Sequence, residues 1–166
     1  MNPSDAKDIL TCAVRDVFEK MINLPIRPED QNGRNLFENQ AHVSASVSFA
    51  GDWTGFVSLA CLGNSACFIT SRLLGMAAEC TSESEMKDAM GEMANMIGGR
   101  FKSLFAEKCN GGREAFRMSV PTVVTGRDFQ VFASDALGGG GKFQIRIHAS
   151  DHCFDLCLVL KPNHAA

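Results

Sequence analysis

A chain of 166 residues, 45% of them hydrophobic and 21% charged, can build one domain with its own core and is too short for two of ordinary size. A formal net charge of −3 provides no basic footprint for neutralising phosphates, which argues against a nucleic-acid partner. No apolar run nears the roughly 20 residues needed to cross a bilayer, and the opening MNPSDAKDIL lacks the basic and apolar parts of a signal peptide; a single cytoplasmic domain over residues 1–166 is expected.

Residues 4–24 place Ile9, Leu10, Ala13, Val14, Val17, Phe18, Met21 and Ile22 at i, i+1, i+4, i+5 spacing, the two-wide stripe of a helix lying on a core. Pro25 and Pro28 end it, and the polar run 29–40, with Asn32-Gly33, reads as a loop. Val43, Ala45, Val47 and Phe49 then alternate with Ser44, Ser46 and Ser48, the period of a half-buried strand. After a turn at Gly51-Asp52, Val57, Leu59 and Cys61 continue on an antiparallel partner. Asn64 is placed to cap a short helix through Leu74, with Gly75 as its stop.

The longest predicted helix covers residues 82–109. Ser82 and Glu85 have capping-box spacing, in which each side chain satisfies an otherwise orphan amide. At about 100° per residue, Met86, Met90, Met93, Ile97, Phe101 and Leu104 form one apolar stripe, while Asp88, Glu92, Asn95, Gly99 and Lys102 lie opposite. Asn is a poor helix former, and Gly91, Gly98 and Gly99 each cost about 0.5–1 kcal/mol relative to Ala inside a helix. Something other than helix stability selects them.

Beyond Gly111-Gly112, alternating runs at 119–125, 129–134, 142–149 and 153–160 predict four more strands. The glycines at 138–141 read as a hairpin loop rather than a phosphate cradle, since no Lys-Ser/Thr and no helix follows them. Strands apolar on one side imply an α+β fold: a two-layer sandwich of about three helices on one face of a mainly antiparallel sheet of about six strands.

Seven cysteines with no CxxC pair read as reduced core filler rather than a disulfide framework. His148, His152, Cys153 and Cys157 are neighbours in sequence, but residues 153 and 157 stand about 13 Å apart along a strand, too far for one tetrahedral zinc. No metal site is expected, and no thiol with an activating neighbour is evident.

The run from Asp88 to Gly99, DAMGEMANMIGG, resembles the signature helix of the CheC/CheX/FliY chemotaxis phosphatases, whose pattern is Glu-x-x-Asn; the ending Asn-Met-Ile-x-Gly points to the CheX branch. Ser119-x-Pro121 and Gly126 resemble the strand that follows in CheX-like domains, and Gly98-Gly99 replaces the usual Ala-Gly. The resemblance implies an enzyme of two-component signalling, a phosphatase for the aspartyl phosphate on a CheY-type response-regulator receiver. Glu92 and Asn95 would be its catalytic pair, Asn95 orienting the in-line water and Glu92 docking to the receiver's Lys. Asp88, Gly91, Gly98, Gly99 and Lys102 would form the docking surface, the glycines keeping the helix low for close approach. Mg²⁺ would belong to the receiver, leaving this chain with no cofactor of its own, and a homodimer is expected. The alternative is a non-catalytic module that binds a response regulator or flagellar-switch component.

Overall fold

The computed structural model describes residues 3–30, 40–76, 82–127, 129 and 141–163. In them the helical and alternating patterns become three helices against one face of a seven-stranded antiparallel sheet. The chain runs α1 (Pro3–Arg15), β1 (Arg27–Asp30), β2 (His42–Gly51), β3 (Trp53–Leu62), α2 (Gly63–Leu74), α3 (Glu83–Cys109), β4 (Phe116–Met118), β5 (Thr122–Gly126), β6 (Gly141–Ala149) and β7 (His152–Pro162). The sheet order is β1-β6-β7-β3-β2, with β4 and β5 both laid along the far side of β2.

Alternation decides what each strand buries. Val43, Ala45, Val47 and Phe49 on β2 and Leu156, Leu158 and Leu160 on β7 turn to the helices and are buried. The residues between them turn to the other face. α3 lies across β2 with α1 and α2 packed beside it, so the core surrounds it on its inner side. Its second half is held by an aromatic cluster. Phe101 stacks on Phe49 at 5.8 Å between ring centres and on Phe116 at 6.2 Å, and Trp53 meets Phe105 edge-on at 5.4 Å. Truncating such a buried ring typically costs about 3–5 kcal/mol, enough to make this cluster the main anchor of α3 on the sheet.

Several local expectations are corrected. α1 ends at Arg15 and widens into a π-helical turn, Asp16–Met21, which buries Val17 and Phe18. Part of the expected loop after it is a strand: among the described residues β1 pairs with β6 alone, and at that edge Pro28, which has no N–H to donate, is tolerated. Asn64 does not cap α2. The cap position is Leu62, without a side-chain bond, and the Asn64 side-chain Oδ1 accepts from the Ser65 amide at 2.8 Å within the first turn. Gly75 does end that helix, in the left-handed conformation at φ 63°. The strand expected at 119–125 begins only at Thr122 as β5, and a short strand with no counterpart in the expectation, β4, precedes it, the two separated by residues 119–121. The strand expected at 129–134 lies outside the described residues except for Phe129, which stacks on His42 at 4.0 Å, as do the glycines 138–140. Cys12 and Cys109 are exposed rather than core filler, whereas Cys61 is buried.

Candidate functional site on the outer side of the third helix

α3 starts where the sequence signals it. The Ser82 hydroxyl accepts from the Glu85 amide at 3.2 Å, and the Glu85 carboxylate accepts from the Ser82 amide at 2.7 Å. The bond from the Ser82 amide, and then one from the Ser82 hydroxyl to the same carboxylate at 2.8 Å, hold the Glu85 carboxyl below its ordinary range. From that cap the 3.6-residue period runs unbroken for 27 residues, sending Met90, Met93, Ile97 and Phe101 inward. The outer side carries the candidate pair. Glu92 is exposed and Asn95 half-buried, one turn apart on the same face. Among the described residues neither side chain has an intramolecular hydrogen bond or ion pair. A carboxylate and an amide left unpaired at the centre of a core-packed helix are fixed in position but chemically uncommitted. The carboxylate offers acceptors only, and the amide a donor and an acceptor.

The five docking candidates divide. Asp88 is exposed, and Gly99 is half-buried with no atom within 4 Å of where a Cβ would stand. Lys102 is also on this side but forms an ion pair with Glu114, which holds that carboxyl below its ordinary range. Gly91 and Gly98 are not on the outer surface. Both are buried, and a Cβ at 98 would lie 2.6 Å from Val47 Cγ2 and 3.0 Å from Met118 Cε. At 91 it would lie 3.5 Å from Pro121 Cβ and from Val123 Cγ2. Gly98 permits a close approach of the sheet, whereas at Gly91 a Cβ would make ordinary contact with Pro121 and Val123.

The contact at Gly91 identifies a residue missed in the sequence. Val120, 81% exposed, sits between β4 and β5 in the segment whose Pro121 abuts Gly91. The segment is anchored on β2 through the preceding residue: the Ser119 amide donates to the Ser48 carbonyl at 3.0 Å, and the Ser48 amide donates to the Ser119 hydroxyl at 3.0 Å. The result is a fixed apolar knob beside the polar side of α3. Its sequence signal is a valine between Ser119 and Pro121, where no strand pairing can bury it.

The His/Cys group at the C-terminal hairpin is split by the sheet. His152 turns to the helices, 3.1 Å from Ser65 Oγ and stacked on Phe68, whereas His148 and Cys153 turn the other way. Among the described residues no cluster of three or more His, Cys, Asp or Glu side chains is arranged to hold a metal ion.

Comparison with known proteins places this geometry. The family model described as "Chemotaxis phosphatase CheX" matches residues 43–148. No curated protein sequence matches the chain. Among solved structures, the chemotaxis protein CheX from Vibrio vulnificus superposes with TM-score 0.76 at 20% identity, covering 97% of this chain and 99% of that one. A CheC-like superfamily protein from Shewanella sp. PV-4 gives 0.76 at 24% identity, with the same coverage of 97% and 99%. A chain of the CheX-CheY-BeF3-Mg²⁺ complex from Borrelia burgdorferi gives 0.69 at 16% identity, covering 93% and 96%. At these identities the superpositions establish the shared fold.

Proposed function

The chain belongs to the CheX family of chemotaxis phosphatases, and from that footing we propose that it hydrolyses the aspartyl phosphate of a CheY-type receiver domain. One observation carries the reading: Glu92 and Asn95 stand side by side and uncommitted on a helix that the core holds rigid. An acyl phosphate is already activated, so its hydrolysis needs no strong acid or base. It needs a water held in line with the leaving carboxylate and compensation of charge at the phosphoryl group. Asn95 supplies the first by accepting from the water and donating toward the phosphoryl oxygens. Glu92 pairs with the receiver's Lys and sets how deeply Asn95 enters. Mg²⁺ and the Lys belong to the receiver. That a relative was solved as a CheX-CheY complex with BeF3 and Mg²⁺ supports the choice of partner.

The test is the lifetime of phosphate on a purified receiver with wild-type protein, Asn95→Ala or Glu92→Ala. Asn95→Ala is expected to slow the accelerated hydrolysis about 100-fold, the usual cost of misplacing a reacting group. Glu92→Ala is expected to raise the concentration for half-maximal effect about tenfold, roughly 1.4 kcal/mol of docking. Equal rates for wild type and Asn95→Ala would refute the role given to Asn95. Binding that leaves the phosphate lifetime unchanged would replace the enzyme with a non-catalytic receiver-binding module.

A further inference from the structure

The face of the sheet turned away from α3 carries a second chemical constellation. His148 on β6 stands opposite Cys153 on β7 and Arg27 on β1. Cys153 Sγ lies 3.1 Å from His148 Nδ1, and His148 Nε2 lies 2.7 Å from Glu29 Oε2. A carboxylate can only accept, so the neutral imidazole carries its proton on Nε2 and leaves Nδ1 as the acceptor facing the thiol. This is the order nucleophile, base and orienting carboxylate. Arg146, the next outward residue on β6, is committed to Asp155 through two bonds of 2.7 and 3.0 Å and leaves His148 as the base beside the thiol. A shared metal does not fit: Glu29 binds the ring nitrogen remote from Cys153, so the three ligand atoms do not converge.

The geometry points to Cys153 as a reactive thiol that exchanges with low-molecular-weight disulfides, with His148 as its base and Glu29 as the residue that orients His148. The proton on Sγ moves to His148 Nδ1, and the thiolate attacks one sulfur of the disulfide R–S–S–R. A Cys153–S bond forms as the S–S bond breaks, and the departing thiolate takes the proton from His148 and leaves as RSH. Acyl transfer is disfavoured by the surroundings. The His148 position is laddered on both sides, by β1 and by β7, so no pair of free amides stands ready to hold an oxyanion. Exchange at sulfur needs none. The half-buried thiol is open to a small reagent, His148 is 25% exposed and Glu29 61% exposed. The product has a structural consequence. Among the described residues β1 is held to the sheet by β6 alone, and the Glu29–His148 bond is one of its side-chain ties, so occupation of Cys153 disturbs the edge strand through His148.

The test is site-resolved labelling of the native protein with glutathione disulfide, followed by mass mapping of each cysteine. Cys12 serves as the exposed reference, and Cys61, whose thiol burial pushes far up, as the unreactive one. Cys153 is expected to form the mixed disulfide about tenfold faster than Cys12 near neutral pH despite its lower exposure. His148→Gln should bring that rate down to the Cys12 range, and Glu29→Gln should lower it partway. The comparison of Cys153 with Cys12 in the wild-type chain needs no variant at all. A Cys153 rate equal to or below that of Cys12, or one unchanged in His148→Gln, would overturn the proposal.

Discussion

Gly98 and Gly99 are consecutive in α3, yet the structure gives them opposite consequences on substitution by alanine. A methyl at 98 would stand 2.6 Å from Val47 Cγ2 and 3.0 Å from Met118 Cε. Carbon atoms prefer about 3.5–4.0 Å, so roughly 1 Å must be recovered. Met118 can swing aside, but Val47 is a buried branched side chain on a central strand and cannot. α3 would therefore lift from β2. Overpacking of this kind costs about 1–3 kcal/mol, and the better helix propensity of Ala returns about 0.5–1 kcal/mol. The net expectation for Gly98→Ala is a loss of roughly 0.5–2 kcal/mol, or a melting temperature lower by about 2–6 °C for a chain of this size. At 99 nothing lies within 4 Å, so only the propensity gain remains, a rise of about 2–3 °C. Urea and thermal unfolding followed by circular dichroism measure both. Because Gly99 borders the proposed docking face, Gly99→Ala is also expected to slow receiver dephosphorylation while it stabilises the fold. A Gly98→Ala protein at or above wild-type stability, or a Gly99→Ala protein below it, would refute the placement of Gly98 against the sheet and Gly99 in open space.

Two further expectations rest on other elements. Val120→Asp leaves the core untouched but puts a charge on the apolar knob beside α3; it should weaken receiver binding about tenfold by titration calorimetry with less than about 0.5 kcal/mol change in stability, and unchanged affinity would remove Val120 from the docking face. Asp16 is bonded by Lys20 and then Arg100, which hold its carboxyl below the ordinary 3.8, with burial opposing. A lowered folded-state value stabilises above the unfolded value, and that contribution is lost as pH falls through the folded one. Stability linked to Asp16 should therefore be complete above about pH 4 and fade below it, by about 0.5 kcal/mol given its partly exposed partners. In Arg100→Ala the Asp16 resonance should titrate at higher pH in carboxyl NMR; an unmoved titration would count against the pair.

What the sequence made legible follows from the range of the interactions involved. The cap at Ser82, the inward stripe of α3 and the outward placement of Glu92 and Asn95 depend on residues within a few turns of one another, and local period suffices to read them. Gly91 and Gly98 lie seven apart at the margin of the stripe. Which way that margin faces is decided by β2 and β5 closing against it, and a single-helix projection does not contain those strands. The sequence of β1 reads as loop because its proline and charges suit an edge, and edge status is a property of the whole sheet. The break at residues 119–121 depends on Ser119 meeting Ser48, 71 positions earlier. The same holds more strongly for Glu29 and His148, which are 119 positions apart and become neighbours only through the β1–β6 register.

The division of α3 into an inner and an outer side also separates two kinds of evolutionary freedom. Residues that determine whether the domain folds, such as Met90, Ile97, Gly98 and Phe101, are enclosed by the sheet and the other helices. Residues proposed to meet a partner, such as Asp88, Glu92 and Gly99, touch little else among the described residues. Surface changes of the second kind ordinarily shift stability by less than about 0.5 kcal/mol. Under the proposed docking, substitutions at positions 88 and 99 change recognition with the scaffold held constant, and drift at 98 or 101 is filtered by folding before recognition is ever tested.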